Sequence, residues 1–126
     1  MGDSYKTISA GGEGFYSEKR SKFLAFAHHV ESEQDVKDIV AEYRKKYYDA
    51  RHVCWAYMLG PERKNFRAND DGEPSSTAGK PILGQINSNE LTDILIVVIR
   101  YFGGVLLGAG PLTRTYTKCA AELFVE

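Results

Sequence analysis

The segment Ile94-Leu95-Ile96-Val97-Val98-Ile99 constrains this chain more than any other, with six apolar residues in succession and five of them β-branched. Six residues are too few for an ordinary core helix, and the run lacks the alternation of a half-buried strand. It therefore predicts a central strand buried on both faces, which obliges the rest of the chain to cover two sides of a sheet. The run continues through Arg100-Tyr101-Phe102-Gly103-Gly104-Val105-Leu106-Leu107-Gly108-Ala109-Gly110 to Pro111, the favoured first position of a helix. From there Leu112, Tyr116, Cys119, Ala120 and Leu123 make one inner stripe.

The remaining pattern supplies the partners. Tyr5–Ser9, Gly14–Glu18 and Lys22–Val30 read as strands, with Gly11-Gly12 as a turn and Lys19-Arg20-Ser21 as a polar corner. In the third, Leu24, Phe26, His28 and Val30 share one face while Phe23, Ala25 and Ala27 share the other. Ser32 is placed to cap a helix, with Asp35 in the capping-box position. Val36, Ile39, Val40, Tyr43 and Tyr47 form its apolar stripe, and Arg44, Lys45 and Lys46 sit at its negative end. His52–Leu59 and Asn65–Asn69 read as an antiparallel pair closed by Gly60-Pro61. Ser76 or Thr77 is expected to cap a short helix around Pro81–Ile86. The order β-β-β-α-β-β-α-β-α defines an α+β domain with helices packed mainly on one face of the sheet.

At 126 residues the chain is one domain's worth of material, and its net charge of -1 argues against a uniformly basic nucleic-acid coat. No stretch approaches the ~18 consecutive apolar residues of a membrane span, and Met1–Gly12 lacks the apolar core of a secretion signal, so a cytoplasmic location is expected. Cys54 and Cys119, the two cysteines, stand far apart and fit neither a redox pair nor a zinc cluster. His28 and His29 point to opposite faces of a regular strand and cannot chelate one metal together.

Two loops carry more chemistry than a scaffold requires. In Arg67–Pro81, Asp70, Asp71 and Glu73 repel one another unless water, a cation or basic side chains intervene. A solvated turn, a magnesium site on those three carboxylates, or ion pairs with Arg51, Arg67 or Arg100 each meet that condition. In Arg100–Pro111 the glycines Gly103, Gly104, Gly108 and Gly110 lead into a helix N-terminus, an arrangement that can turn backbone N–H groups towards an anion. Tight strand-to-helix packing explains the same glycines, and neither phosphate-loop fingerprint is present.

With these loops the sequence resembles the IMPACT/YigZ family (UPF0029) in its N-terminal domain. The matching stretches are Lys19-Arg20-Ser21-Lys22-Phe23, Ala50-Arg51-His52, the run from Asp70 to Pro81, Arg100-Tyr101-Phe102-Gly103-Gly104, and Leu107 to Gly110 onward through Arg114 to Tyr116. The resemblance covers about residues 14–120. It implies a fold like ribosomal protein S5 domain 2, shared with a domain of the translocating elongation factor. It also implies RNA or ribosome binding in bacterial members. In eukaryotic relatives it implies translational control through competition for an activator of a stress kinase. Bacterial members usually add a C-terminal ferredoxin-like domain, so residues 1–126 are expected to be a single IMPACT-type domain without it. Leu107 stands where the family commonly has lysine, and Pro111 where it commonly has glycine.

The leading expectation is therefore a noncatalytic, translation-associated domain binding structured RNA, the ribosome or a regulatory protein, with no cofactor. Its nucleic-acid or anion contacts are expected at Lys19, Arg20, Lys22, Arg51, Lys80, Arg100, Gly103, Gly104, Gly108, Gly110 and Arg114. A metal-dependent enzyme is the first alternative. It would use magnesium on Asp70, Asp71 and Glu73 against a phosphorylated ligand held by Gly108–Gly110. A protein–protein adaptor with an exposed apolar patch is the second.

Overall fold

A computed structural model describes residues 11–125; the strand expected over Tyr5–Ser9 lies outside them. The strands are β1 (Gly12–Glu18), β2 (Ser21–His29), β3 (His52–Leu59), β4 (Asn65–Asn69) and β5 (Ile94–Tyr101). The helices are α1 (Glu33–Lys46), α2 (Gly79–Ser88) and α3 (Ala109–Ala121), and a 3-10 turn covers Glu122–Phe124. The strands form one sheet in the order β1-β2-β5-β3-β4, with every neighbouring pair antiparallel.

The apolar run lies at the centre, as its composition demands. Val98 pairs with Ala25 on one side and Cys54 on the other, and Ile94 to Ile99 are all 0 % exposed. Ile94, Ile96 and Val98 meet Phe23, Ala25, Cys54, Ile82, Leu112 and Tyr116 in the layer under α2 and α3. Leu95, Val97 and Ile99 meet Val36, Val40, Val53 and Tyr57 in the layer under α1. Two helices thus share one face and α1 supplies the second cover. Complete burial of such a side chain contributes about 1.5–3 kcal/mol, so both layers draw on β5.

Local chemistry sets the helix starts. Ser32 Oγ accepts the Asp35 N–H at 3.1 Å, and Asp35 Oδ2 accepts the Glu31 N–H at 2.9 Å, one residue before the donor of a regular capping box. The expected capping of α2 by Ser76 or Thr77 is replaced. The helix begins at Gly79, and Asp70 Oδ1 accepts the N–H groups of Ala78 (3.1 Å) and Gly79 (2.8 Å). Thr77 instead turns its hydroxyl to the Pro74 carbonyl. Helix α3 starts at Ala109, which places Pro111 third rather than first.

Candidate functional site

The three carboxylates of the acidic loop face three different ways. Asp70 caps α2, its Oδ2 also accepting the Ser76 N–H at 2.9 Å. Asp71 ties the loop to the sheet and to α1, accepting the Val53 N–H at 2.6 Å and Arg44 Nη1 at 3.1 Å. Glu73 is buried and receives Arg100 Nη1 on both oxygens, at 2.9 and 2.8 Å. Basic groups and backbone donors therefore relieve the repulsion. Of the three arginines expected to do so, Arg100 does, while Arg44 takes the place of Arg51 and Arg67. Among the described residues no group of three or more His, Cys, Asp or Glu side chains is placed to hold a metal ion. Asp70, Asp71 and Glu73, the ligands of the alternative magnesium site, are each turned to their own donors.

Glu73 anchors a buried network. Tyr116 donates its hydroxyl to Oε2 at 2.5 Å, and His52 Nε2 lies 3.3 Å from Oε1. His52 Nδ1–H donates to the Asp71 carbonyl at 2.7 Å, which fixes the ring. Cys54 donates its thiol to the Tyr116 oxygen at 3.4 Å. Burial pushes the Tyr116 and Cys54 hydroxyl and thiol far up, and pushes Cys119 up to about 12. Both thiols stay protonated near neutrality and are poor nucleophiles. Arg100 is 5 % exposed, with its guanidinium 5.6 Å from the Phe23 ring centre and 5.8 Å from that of Phe102. It forms part of the wall and is removed from the set of exposed phosphate contacts expected from the sequence.

Next to this wall the structure gathers a basic and aromatic rim. Lys19 and Arg20 are the central residues of the β1–β2 hairpin and both have positive φ, 45° and 70°, as a two-residue type I′ turn requires. This conformation is unfavourable for long side chains, so the surroundings must hold it. Gly103 does so by close approach: a Cβ there would fall 2.1 Å from the Arg20 carbonyl carbon. Ser21 Oγ receives the Gly103 N–H at 3.4 Å. Arg51 stacks over Phe102, 4.8 Å from its centre.

Two clefts open on this rim and share Phe102. One, of about 380 Å³, lies between Arg20, Lys22, Leu24, Tyr101 and Phe102. The other, of about 320 Å³, is walled by Arg51, His52, Glu73, Phe102, Leu106 and Leu107 among others. Arg20, Lys22 and Arg51 thus converge, with Lys19 beside them on the turn. Lys80 on α2 and Arg114 on α3 are exposed but line neither cleft. Gly104 is exposed and occupies the left-handed region at φ 90°. Gly108 precedes α3 and Gly110 lies in its first turn; neither lines either cleft, but Leu106, Leu107 and Leu112 around them share the second cleft with Glu73. Phe102, His52, Ser21 and Arg44 also belong to the site, and none is among the contacts expected from the sequence. Only the position of Phe102 within an Arg-Tyr-Phe-Gly-Gly run hinted at its role.

The sequence matches the Impact N-terminal domain over residues 19–124, and the chain belongs to the IMPACT/YigZ family. The IMPACT family member YvyE of Bacillus subtilis (strain 168) is 40% identical over 119 residues, covering 94% of this chain and 55% of that protein. A crystal structure described as that of a hypothetical protein superimposes with a TM-score of 0.91 at 33% identity, covering 95% of this chain and 59% of the other. The two-domain translational regulator Yih1 shares the fold, with a TM-score of 0.56 at 20% identity over 97% of this chain and 49% of its own. The chain spans about half the length of the relatives it matches. Among the described residues no helix is long and apolar enough to cross a membrane.

Proposed function

We propose that this is a noncatalytic domain of the translation apparatus that binds structured RNA at a ribosomal surface, through the rim formed by Lys19, Arg20, Lys22 and Arg51 around Phe102. The observation that carries this reading is the convergence of exposed cations on an aromatic ring: cations track phosphates while a ring offers a stacking surface to an unpaired base. The separate engagement of Asp70, Asp71 and Glu73 favours binding over metal-dependent chemistry. Membership of the Impact N-terminal domain family, together with a fold shared with the translational regulator Yih1, supports a role in translation, and the reading takes the sheet as S5-domain-2-like and the location as cytoplasmic. A second reading, docking of a regulatory protein, draws on Leu106, which is 82% exposed beside the same rim.

Filter binding to ribosomal subunits and to structured RNA across a salt series tests the proposal. Four phosphate contacts give a slope of log affinity against log salt of about -3 to -4, and Lys22→Gln or Arg51→Gln each reduce its magnitude by about one. Absent or salt-independent binding to both probes overturns the RNA reading. Retention of a protein partner after ribonuclease treatment, in place of RNA, supports the second.

A further inference from the structure

On the opposite layer of the sheet lies a groove that the rim does not use. The register pairs Trp55 with Asn69 and Tyr57 with Arg67, so these side chains share the face that α1 covers. Helix α1 reaches β3 and β5 through Val36 and Val40, but β4 extends beyond it and Arg67 remains exposed. Between helix and edge strand is a groove of about 330 Å³ lined by Glu33, Lys37, Val40, Trp55, Tyr57 and Arg67 among others. That volume lies within the range of small-ligand sites.

Its floor is aromatic, and among the described residues some of its polar groups are unspent. Trp55 and Tyr57 stack with ring centres 5.9 Å apart and planes 11° from parallel. Trp55 is only half-buried. Among the described residues the Trp55 indole N–H and the Tyr57 hydroxyl have no hydrogen-bond partner, and Lys37 and Arg67 have no ion pair. Arg44, by contrast, is tied to Asp71 and acts as fixed wall. Glu33, steadied by Asn65 Nδ2 at 3.3 Å, offers an acceptor in the same groove.

We propose that this groove binds a mononucleotide, its base against Trp55 and its phosphate between Lys37 and Arg67. The flat floor suits a ring, the two cations, which have no ion pair among the described residues, suit a phosphate, and Glu33 suits an amino group on the base edge. An apolar peptide fits less well, because seating it would desolvate Lys37 and Arg67 without compensation. The site stands independently of the RNA-binding rim.

The chain has one tryptophan, so its fluorescence reports on this groove alone. Titration with AMP is expected to quench Trp55 saturably, whereas adenosine and inorganic phosphate each bind at least about tenfold more weakly. Lys37→Gln and Arg67→Gln each weaken AMP binding about tenfold, and Lys80→Gln leaves it unchanged. Lys22→Gln and Arg51→Gln, which impair the rim, also leave AMP binding unchanged, so failure of one site is distinguishable from failure of the other. Circular dichroism confirms that each variant is folded. No saturable quenching at millimolar AMP, or equal affinity in the Lys37 and Arg67 variants, overturns the proposal.

Discussion

Replacing Glu73 by glutamine tests whether the acidic loop is held by charge. The substitution preserves shape and leaves Arg100 an amide oxygen, but it strips the counter-charge from a guanidinium that is 5 % exposed. Breaking a buried pair by removing one partner costs about 3–5 kcal/mol, much of it the uncompensated charge left behind. For a domain of this size about 1 kcal/mol corresponds to roughly 4 °C, so Glu73→Gln is expected to lower Tm by roughly 12–20 °C. Domain stabilities of about 5–15 kcal/mol leave most of the variant folded at room temperature, and urea unfolding measures the difference directly. Combining Glu73→Leu, Arg100→Met and Tyr116→Phe removes both charges and the hydroxyl that donates to Glu73, and recovers most of the loss. A Glu73→Gln protein within about 1 kcal/mol of the parent refutes the assignment of the pair as the anchor of this loop.

Glycine geometry gives a paired test. Gly84 lies in α2 with open space where a Cβ would stand, so Gly84→Ala stabilises by about 0.5–1 kcal/mol in urea unfolding. Gly103→Ala drives a Cβ into the Arg20 backbone and is expected to destabilise and to displace the Lys19-Arg20 turn, seen as weaker RNA binding. His28 gives a pH signature. Burial holds its pKa below the ordinary 6.5, opposed by Glu42, while its Nε2 lies 2.5 Å from the Tyr43 hydroxyl. A depressed histidine is neutral in the fold and takes up its proton more readily when unfolded. Its contribution to stability is complete above 6.5 and is lost as pH falls through the lower folded value. Stability measured from pH 7.5 downward falls less steeply in His28→Gln.

The elements read correctly from the sequence are those whose cause is local. Central placement of β5 follows from its own six side chains, α1 from the spacing of Val36, Val40 and Tyr43 and from the Ser32 cap, and α3 from the Leu112–Tyr116–Cys119 stripe. The start of α2 differs from the local expectation because its cap, Asp70, comes from eight residues before Ala78, beyond the reach of any capping pattern. The site was legible as a set of residue types but not as a partition. Arg51 and Arg100 look alike in the chain. One lies exposed on Phe102 and the other is 27 residues from the carboxylate that neutralises it. Only the antiparallel register of β3 on β5 separates them.

The order of strands has a consequence for biosynthesis. Strand β5 emerges last of the five yet lies between β2 and β3. Until residue 101 has left the exit tunnel, the β1–β2 and β3–β4 hairpins have no shared neighbour, and each keeps an open edge able to pair with another chain. Closing the sheet then requires joining segments distant along the polypeptide, a slow event for so small a molecule. Nascent chains stalled before Ile94 should accordingly be the species that chaperones capture.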